Sequence, residues 1–172
     1  KKNISLLCEA MNTLPEKITV CVLKRPRHDD IVRELKSMKV NINFISDGDV
    51  SGVISVANPK SKIDMYVGIG GAPEGVLSAA ALSCLDCQMQ TRLFFQDEDE
   101  KIRAKKLGIS NLKNKYNISD MVNGDVIFSA TGVTNGDFVK GIAGNEKFFF
   151  SETLVLHKSS KTNKILKNKV SK

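Results

Sequence analysis

Two rhythms of apolar residues alternate along this chain. Positions 4, 6, 7, 11 and 14 follow a helical spacing; the run that comes next, ITVCVLK (18–24), is β-branched and continuous, as in a buried strand. A polar loop, RPRHDD (25–30), leads into DIVRELKSMK, whose apolar positions 31, 32, 35 and 38 share one helical face, with Asp29 or Asp30 placed to cap it. VNINFI (40–45) alternates as a strand, SDGD (46–49) reads as a loop, VSGVISVA (50–57) as a short helix and NPKSK (58–62) as a turn. An apolar run over 63–69 predicts a central buried strand, and an Ala/Leu-rich stretch starting at Ala72 or Pro73 predicts the helix after it.

The second half repeats the alternation. QMQTRLFF (88–95) predicts a strand, and DEDEKIRAKKLG (97–108) a helix with acids at its start, bases near its end and Gly108 as the stop. A polar stretch (109–122) holds one helical turn near 119–122, and DVIFSA (125–130) is a strand that runs into TGVTNGD (131–137). KFFFSETLVLHK (147–158) and KTNKILK (161–167) predict a late hairpin across Ser159 and Ser160. Strands alternating with helices imply an α/β fold: a layered, largely parallel sheet with helices on both faces, and late antiparallel strands at an edge.

Composition changes this picture little. With 172 residues, 41% apolar and 26% charged, the chain is long enough for a real core and has an ordinary globular balance. No apolar run approaches the ~18 residues of a membrane span, and the amino-terminal stretch, with Glu9 in its apolar part, does not read as a signal peptide. The net charge of +7 comes almost wholly from residues 157–172, which hold six lysines and no acid. That end contains no aromatic residue, so it reads as a solvated Lys-rich tail (158–172) appended to an α/β body (1–157), and nucleic acid is not an expected partner. Cys8 and Cys21 sit in apolar stretches. Cys84 and Cys87 form a lone C-x-x-C without a second pair, so reduced, unpaired thiols are expected rather than zinc binding or a redox function.

The chemistry concentrates in loops at strand ends, where open parallel sheets bind ligands. Gly68, Gly70 and Gly71 precede a helix opened by Pro73 and Glu74. Such a turn offers backbone N–H groups and the positive end of the helix dipole to an anion. A glutamate there repels phosphate unless a divalent cation stands between them, which points to a metal-assisted phosphate site; a tight turn with a favourable helix-start acid is the plainer alternative. A dinucleotide fingerprint fails because position 73 is proline. Arg25 and Arg27 flank Pro26 as guanidinium donors for phosphate oxygens, or as surface arginines. Asp47 and Asp49 flank Gly48 as acceptors for sugar hydroxyls or a metal, or as a turn and helix cap. His28 reads as exposed; neither it nor His157 has a recognisable nucleophile partner, and Thr131 and Thr134 read as turn closures. Together these groups suit a phosphorylated polyol or sugar.

GIGGAPEGV (68–76), RPR (25–27), DGD (47–49), the stretches 89–109 and 124–142, and SETLVL (151–156) together resemble the class II fructose-1,6-bisphosphatases of the bacterial glycerol-operon type. The resemblance runs through the chain and thins over about the last ten residues. It implies a metal-dependent sugar phosphatase of the lithium-sensitive phosphatase superfamily, acting in the cytoplasm with Mn²⁺ or Mg²⁺. The implied reaction removes the 1-phosphate of fructose 1,6-bisphosphate to give fructose 6-phosphate, a gluconeogenic step. Some relatives also take sedoheptulose 1,7-bisphosphate. By the same resemblance Glu74 is a metal ligand, and Arg25, Pro26, Arg27, Asp47, Gly48, Asp49 and Gly71 bind substrate.

The likeness is to the carboxyl-terminal half of the family's chain. The other acidic metal ligands and the threonine associated with activating water belong to the amino-terminal half, so no catalytic residue is assigned here and the missing half is an expected partner. A split or decayed fragment that binds sugar phosphate or a partner half is the alternative. The sequence leaves homo-oligomerisation open.

Overall fold

A computed structural model of the chain describes residues 1–136 and 138–172. These fall into two compact units, Lys1–Glu74 and Gly75–Lys172.

The first unit is built on a three-stranded parallel sheet. Helix α1 (Lys2–Met11) leads through a 3₁₀ turn at Pro15–Lys17 into strand β1 (Thr19–Leu23). Helix α2 (Asp29–Ser37), strand β2 (Asn41–Ile45), helix α3 (Asp49–Ser55) and strand β3 (Met65–Tyr66) follow, and the sheet order is β2-β1-β3. β1 is central, and Val20 to Leu23 are buried, which is why this strand reads as an unbroken apolar run. Val20 and Val22 face a core shared with Ile4 and Cys8 of α1 and Leu35 of α2. On the other face Cys21 is in register with Tyr66 and Leu23 with Ile45, and α3 covers them by setting Gly52 against Ile45 and Tyr66. Each buried Val, Leu or Ile contributes about 1.5–3 kcal/mol.

Two local expectations change here. Asp29 and Asp30 do not cap α2. A 3₁₀ turn at Pro26–His28 precedes the helix, and both acids lie in its first turn, where their charge complements the dipole without a capping hydrogen bond. The strand expected over 63–69 is shorter, pairing as a strand only at Met65–Tyr66. Beyond Val67, whose N–H still reaches Cys21 O, the ladder stops because the backbone of Ile69 bonds to side chains instead.

The second unit contains most of helix α4 (Ala72–Cys84), which begins where the sequence places it and buries Ala79, Ala81 and Leu82. The strand expected over 88–95 is only a two-residue bridge, β4 (Gln90–Thr91), antiparallel to β5 (Tyr116–Asn117), and Phe94 is exposed. Helix α5 (Glu98–Lys106) follows its sequence signals: Asp97 accepts from the Glu100 N–H at 2.8 Å, and Gly108 takes φ +89° after the last turn. The short helix α6 (Ile118–Met121) is closed by a reciprocal capping box between Asn117 and Asp120.

The remaining strands are β6 (Ile127–Thr131), β7 (Ala143–Gly144), β8 (Phe148–His157) and β9 (Thr162–Ser171). All pair antiparallel to β8, with β9 matched along its whole length. The late antiparallel strands are present as expected, while the extent of the parallel sheet is corrected. Among the described residues parallel pairing is confined to the first unit, and the larger sheet of the second is antiparallel. Residues 158–172, read from charge as a tail, hold β9. Its lysines are exposed along a strand that pairs, among the described residues, only with β8; lysine on such a strand discourages further pairing. No helix among the described residues is long and apolar enough to cross a membrane.

Candidate functional site

Because β1, β2 and β3 run parallel, the segments leaving their carboxyl ends emerge along one edge of the first unit's sheet. Arg27 ties them together. Its Nε donates to Ile69 O at 2.6 Å, reaching the turn after β3, and its Nη2 lies 3.9 Å from Asp49 Oδ2, at the start of α3. Asp49 Oδ2 also approaches the third segment: a Cβ on Gly70 would lie 3.2 Å from it. Gly48 adopts φ +83°, a left-handed conformation that favours glycine, and its carbonyl accepts from Gly52 N–H at 2.9 Å and Ser51 Oγ at 2.8 Å. The half-exposed Arg27–Asp49 pair contributes little to stability by itself. Its effect is to place a guanidinium and a carboxylate side by side in reach of solvent.

Not all of the expected residues converge. Arg25 donates Nη1 to Lys24 O at 2.9 Å, and with Pro26 it lines an open hollow of about 410 Å³ bordered by Asp29, Val32 and Phe44. Asp47 is exposed. Contacts therefore join Arg27, Asp49 and the glycine turn, while Arg25, Pro26 and Asp47 flank that group.

Two residues at this edge escape the sequence reading. Tyr66 ends β3 with its hydroxyl beside Gly68, where a Cβ would lie 3.1 Å away. Burial, then the carboxylate of Asp49 and the thiol of Cys21, push its phenol up to about 12, with Arg27 opposing. The phenol stays protonated at neutral pH, a donor at the site. His28, expected at the surface, is buried with 1% of its area exposed. Its Nδ1 is 2.6 Å from Leu23 O, and its Nε2 receives the Ile69 N–H at 2.8 Å. The one available signal was the Pro26–His28 turn itself, which rolls the histidine under the sheet edge. The glycines at 68, 70 and 71 do not take a left-handed φ; they make room for Tyr66, Asp49 and Glu74.

Glu74 lies exposed in the first turn of α4, its carboxylate turned back over Gly71, and among the described residues it forms no ion pair with a lysine. A hard carboxylate oxygen at a helix start fits one place in the shell of Mn²⁺ or Mg²⁺. No group of three or more His, Cys, Asp or Glu side chains able to hold a metal occurs among the described residues, so Glu74 fits as a contributor and not as a complete site.

In the second unit His157, for which the sequence shows no nucleophile partner, gains side-chain partners. His157 Nε2 lies 2.8 Å from Asp125 Oδ2, and its Nδ1 2.7 Å from Ser160 Oγ, which is itself 2.6 Å from Thr162 Oγ1. The antiparallel pairing of Ile127 with His157 creates this cluster from positions 32 residues apart. Asp125 also accepts the Ser159 N–H at 3.1 Å, so the cluster closes the β8–β9 turn. Hydrogen bonds from Ser159 first and His157 second lower the Asp125 carboxyl to about 2. Thr131, expected as a turn closure, lies within β6 and pairs its Oγ1 with that of Thr153 at 2.9 Å. The end of the TGVTNGD loop, Asp137, lies outside the described residues. None of the four cysteines forms a disulfide, and burial, then Asp86, raises the Cys87 thiol, which does not suit a reactive thiolate.

A family model described as bacterial fructose-1,6-bisphosphatase, glpX-encoded, matches residues 1–170. Fructose-1,6-bisphosphatase 1 class 2 of Escherichia coli K12 is 37% identical over 174 residues, covering 93% of this chain and 52% of that protein. D-fructose 1,6-bisphosphatase class 2/sedoheptulose 1,7-bisphosphatase of Gloeobacter violaceus is 32% identical over 176 residues, covering 94% of this chain and 50% of the relative. The chain thus spans about half the length of the curated relatives it matches. With the match running through both units, from α1 into β9, this chain belongs to the bacterial, glpX-encoded fructose-1,6-bisphosphatase family.

Proposed function

We propose that this chain is the sugar-phosphate-binding portion of a class II fructose-1,6-bisphosphatase of the lithium-sensitive phosphatase superfamily. In that reading it works with the amino-terminal half of the family's fold to release the 1-phosphate of fructose 1,6-bisphosphate, in gluconeogenesis and in the cytoplasm. The observation that carries this reading is the convergence on Arg27. One guanidinium, on the segment after β1, bonds to the turn after β3 and stands beside the carboxylate that opens α3 after β2.

The roles follow from the chemistry of each group. Arg27 binds a phosphate oxygen, Asp49 accepts from a sugar hydroxyl, and Tyr66 remains a neutral donor at their side. Arg25 and Asp47, on the flanks, reach more distant parts of the same ligand. Glu74 would be one ligand of a bound Mn²⁺ or Mg²⁺, which supplies Lewis-acid stabilisation of the phosphoryl oxygens. A single carboxylate does not hold the clamp that phosphate hydrolysis needs, so the 172-residue chain by itself is inactive.

Titration with fructose 6-phosphate tests the binding role. Saturable binding is expected, weakened by Arg27→Ala by about 1–3 kcal/mol, the worth of a charged hydrogen bond. Equal affinity in the variant removes Arg27 from the site. Phosphate release from fructose 1,6-bisphosphate with Mn²⁺ or Mg²⁺ tests the second statement: robust turnover by this chain, abolished in Glu74→Ala, would contradict it.

A further inference from the structure

The turn between β3 and α4 is held by its neighbours. Ile69 is flanked by Gly68 and Gly70, residues that restrict the backbone least. Yet both polar groups of Ile69 are taken by two consecutive side chains. Arg27 Nε donates to its carbonyl at 2.6 Å, and His28 Nε2 lies 2.8 Å from its N–H.

The tautomer of His28 follows from its partners. Leu23 O only accepts, so the proton at that contact is on Nδ1, 2.6 Å away. Nε2 then carries the lone pair and receives the Ile69 N–H, and its 3.1 Å approach to Ile69 O is a contact without a proton. The buried ring thus bonds the end of β1 to the turn after β3.

We propose that His28 is a positioning residue of this site: by holding the Ile69 amide it fixes the glycine turn that presents Gly70 to Asp49 and carries Glu74 at the start of α4. It touches no ligand itself. The residue acts through Ile69, and its effect on binding rests on the sugar-phosphate reading above.

Two substitutions separate its two bonds. His28→Asn keeps a donor near the Nδ1 position for Leu23 O and loses the acceptor for Ile69. His28→Gln keeps an acceptor near the Nε2 position and loses the donor to Leu23 O. We expect His28→Asn to lose about tenfold in fructose 6-phosphate affinity and to speed hydrogen exchange of the Ile69 amide by a similar factor, as loss of one hydrogen bond implies. His28→Gln should stay near wild type in both, at comparable thermal stability of the two variants. Equal loss in both variants, or none in His28→Asn, overturns the proposal.

If the wild-type chain binds no fructose 6-phosphate, the sugar-phosphate reading falls, while the exchange of Ile69 still decides the clamp. A third measurement needs no variant. ¹⁵N spectra of the folded wild type should show the Nδ1–H tautomer of His28, and an Nε2–H tautomer would refute the clamp even where His28→Asn does not fold.

Discussion

Replacing Gly71 by alanine separates the position of the Glu74 carboxylate from the stability of the fold. Gly71 is exposed and does not adopt a left-handed φ, so its backbone accepts a side chain. By restricting the unfolded chain, such a substitution stabilises by about 0.4–1 kcal/mol. The added methyl would fall on Glu74 Oε2, 3.3 Å from its Cδ and 3.6 Å from Pro73 Cδ. The last is an ordinary contact. The first two force Glu74 to rotate, at a cost of about 0.5–1.5 kcal/mol if it leaves a staggered well. These effects nearly cancel, so the unfolding free energy should change by less than about 1 kcal/mol.

The functional consequence is larger. If the carboxylate serves a cation from its place above the turn, displacing it forfeits a charged contact of about 1.5–3 kcal/mol. That corresponds to a weakening of roughly 10- to 150-fold. Thermal denaturation measures the first quantity. Paramagnetic broadening of the amide signals of Gly70, Gly71, Ala72, Glu74 and Gly75 during Mn²⁺ titration measures the second. Broadening that is unchanged from wild type in Gly71→Ala would refute the assignment of Glu74. A destabilisation above about 2 kcal/mol would show that the turn packs more tightly than its contacts indicate.

Gly52→Ala would set a methyl 2.6 Å from Ile45 Cδ1 and 3.0 Å from the Tyr66 ring, beneath the helix that carries Asp49. Overpacking of about 1–3 kcal/mol opposes a helix-propensity gain of about 1 kcal/mol, so denaturant unfolding should show net destabilisation of up to about 2 kcal/mol; a more stable variant contradicts the packing. The Asp125 carboxyl is lowered to about 2, below its unfolded value of ~3.9, so its contribution is complete above about pH 5 and is lost as pH falls toward 2. The stability difference between wild type and Asp125→Asn should shrink over that interval, and a difference that stays constant would rule out the cluster as its source.

The most legible parts of this protein are those whose causes lie within a few residues. Helix α5 announces itself by an acid-rich first turn, basic last turn and terminal glycine, and its cap forms as those signals require. The start of α4 at Ala72 is written in the proline and glutamate of its first turn, and β1 in its β-branched run. The candidate loops were equally visible, because glycine, proline and paired charges mark strand ends.

What the sequence leaves open is decided by partners distant along the chain. A strand expected over 63–69 ends early because Arg27 and His28 take the backbone groups of Ile69. Antiparallel pairing in the second unit, and the meeting of Asp125 with His157, follow from the register of β6 on β8. Whether His28 is buried, whether Tyr66 faces Asp49 and which arginine reaches the glycine turn are likewise tertiary facts. Hydrophobic period and turn chemistry act over neighbouring residues and so survive in the sequence. Hydrogen-bond partners more than 40 residues away, as for Arg27 and Ile69, exist only once the sheet has brought them side by side.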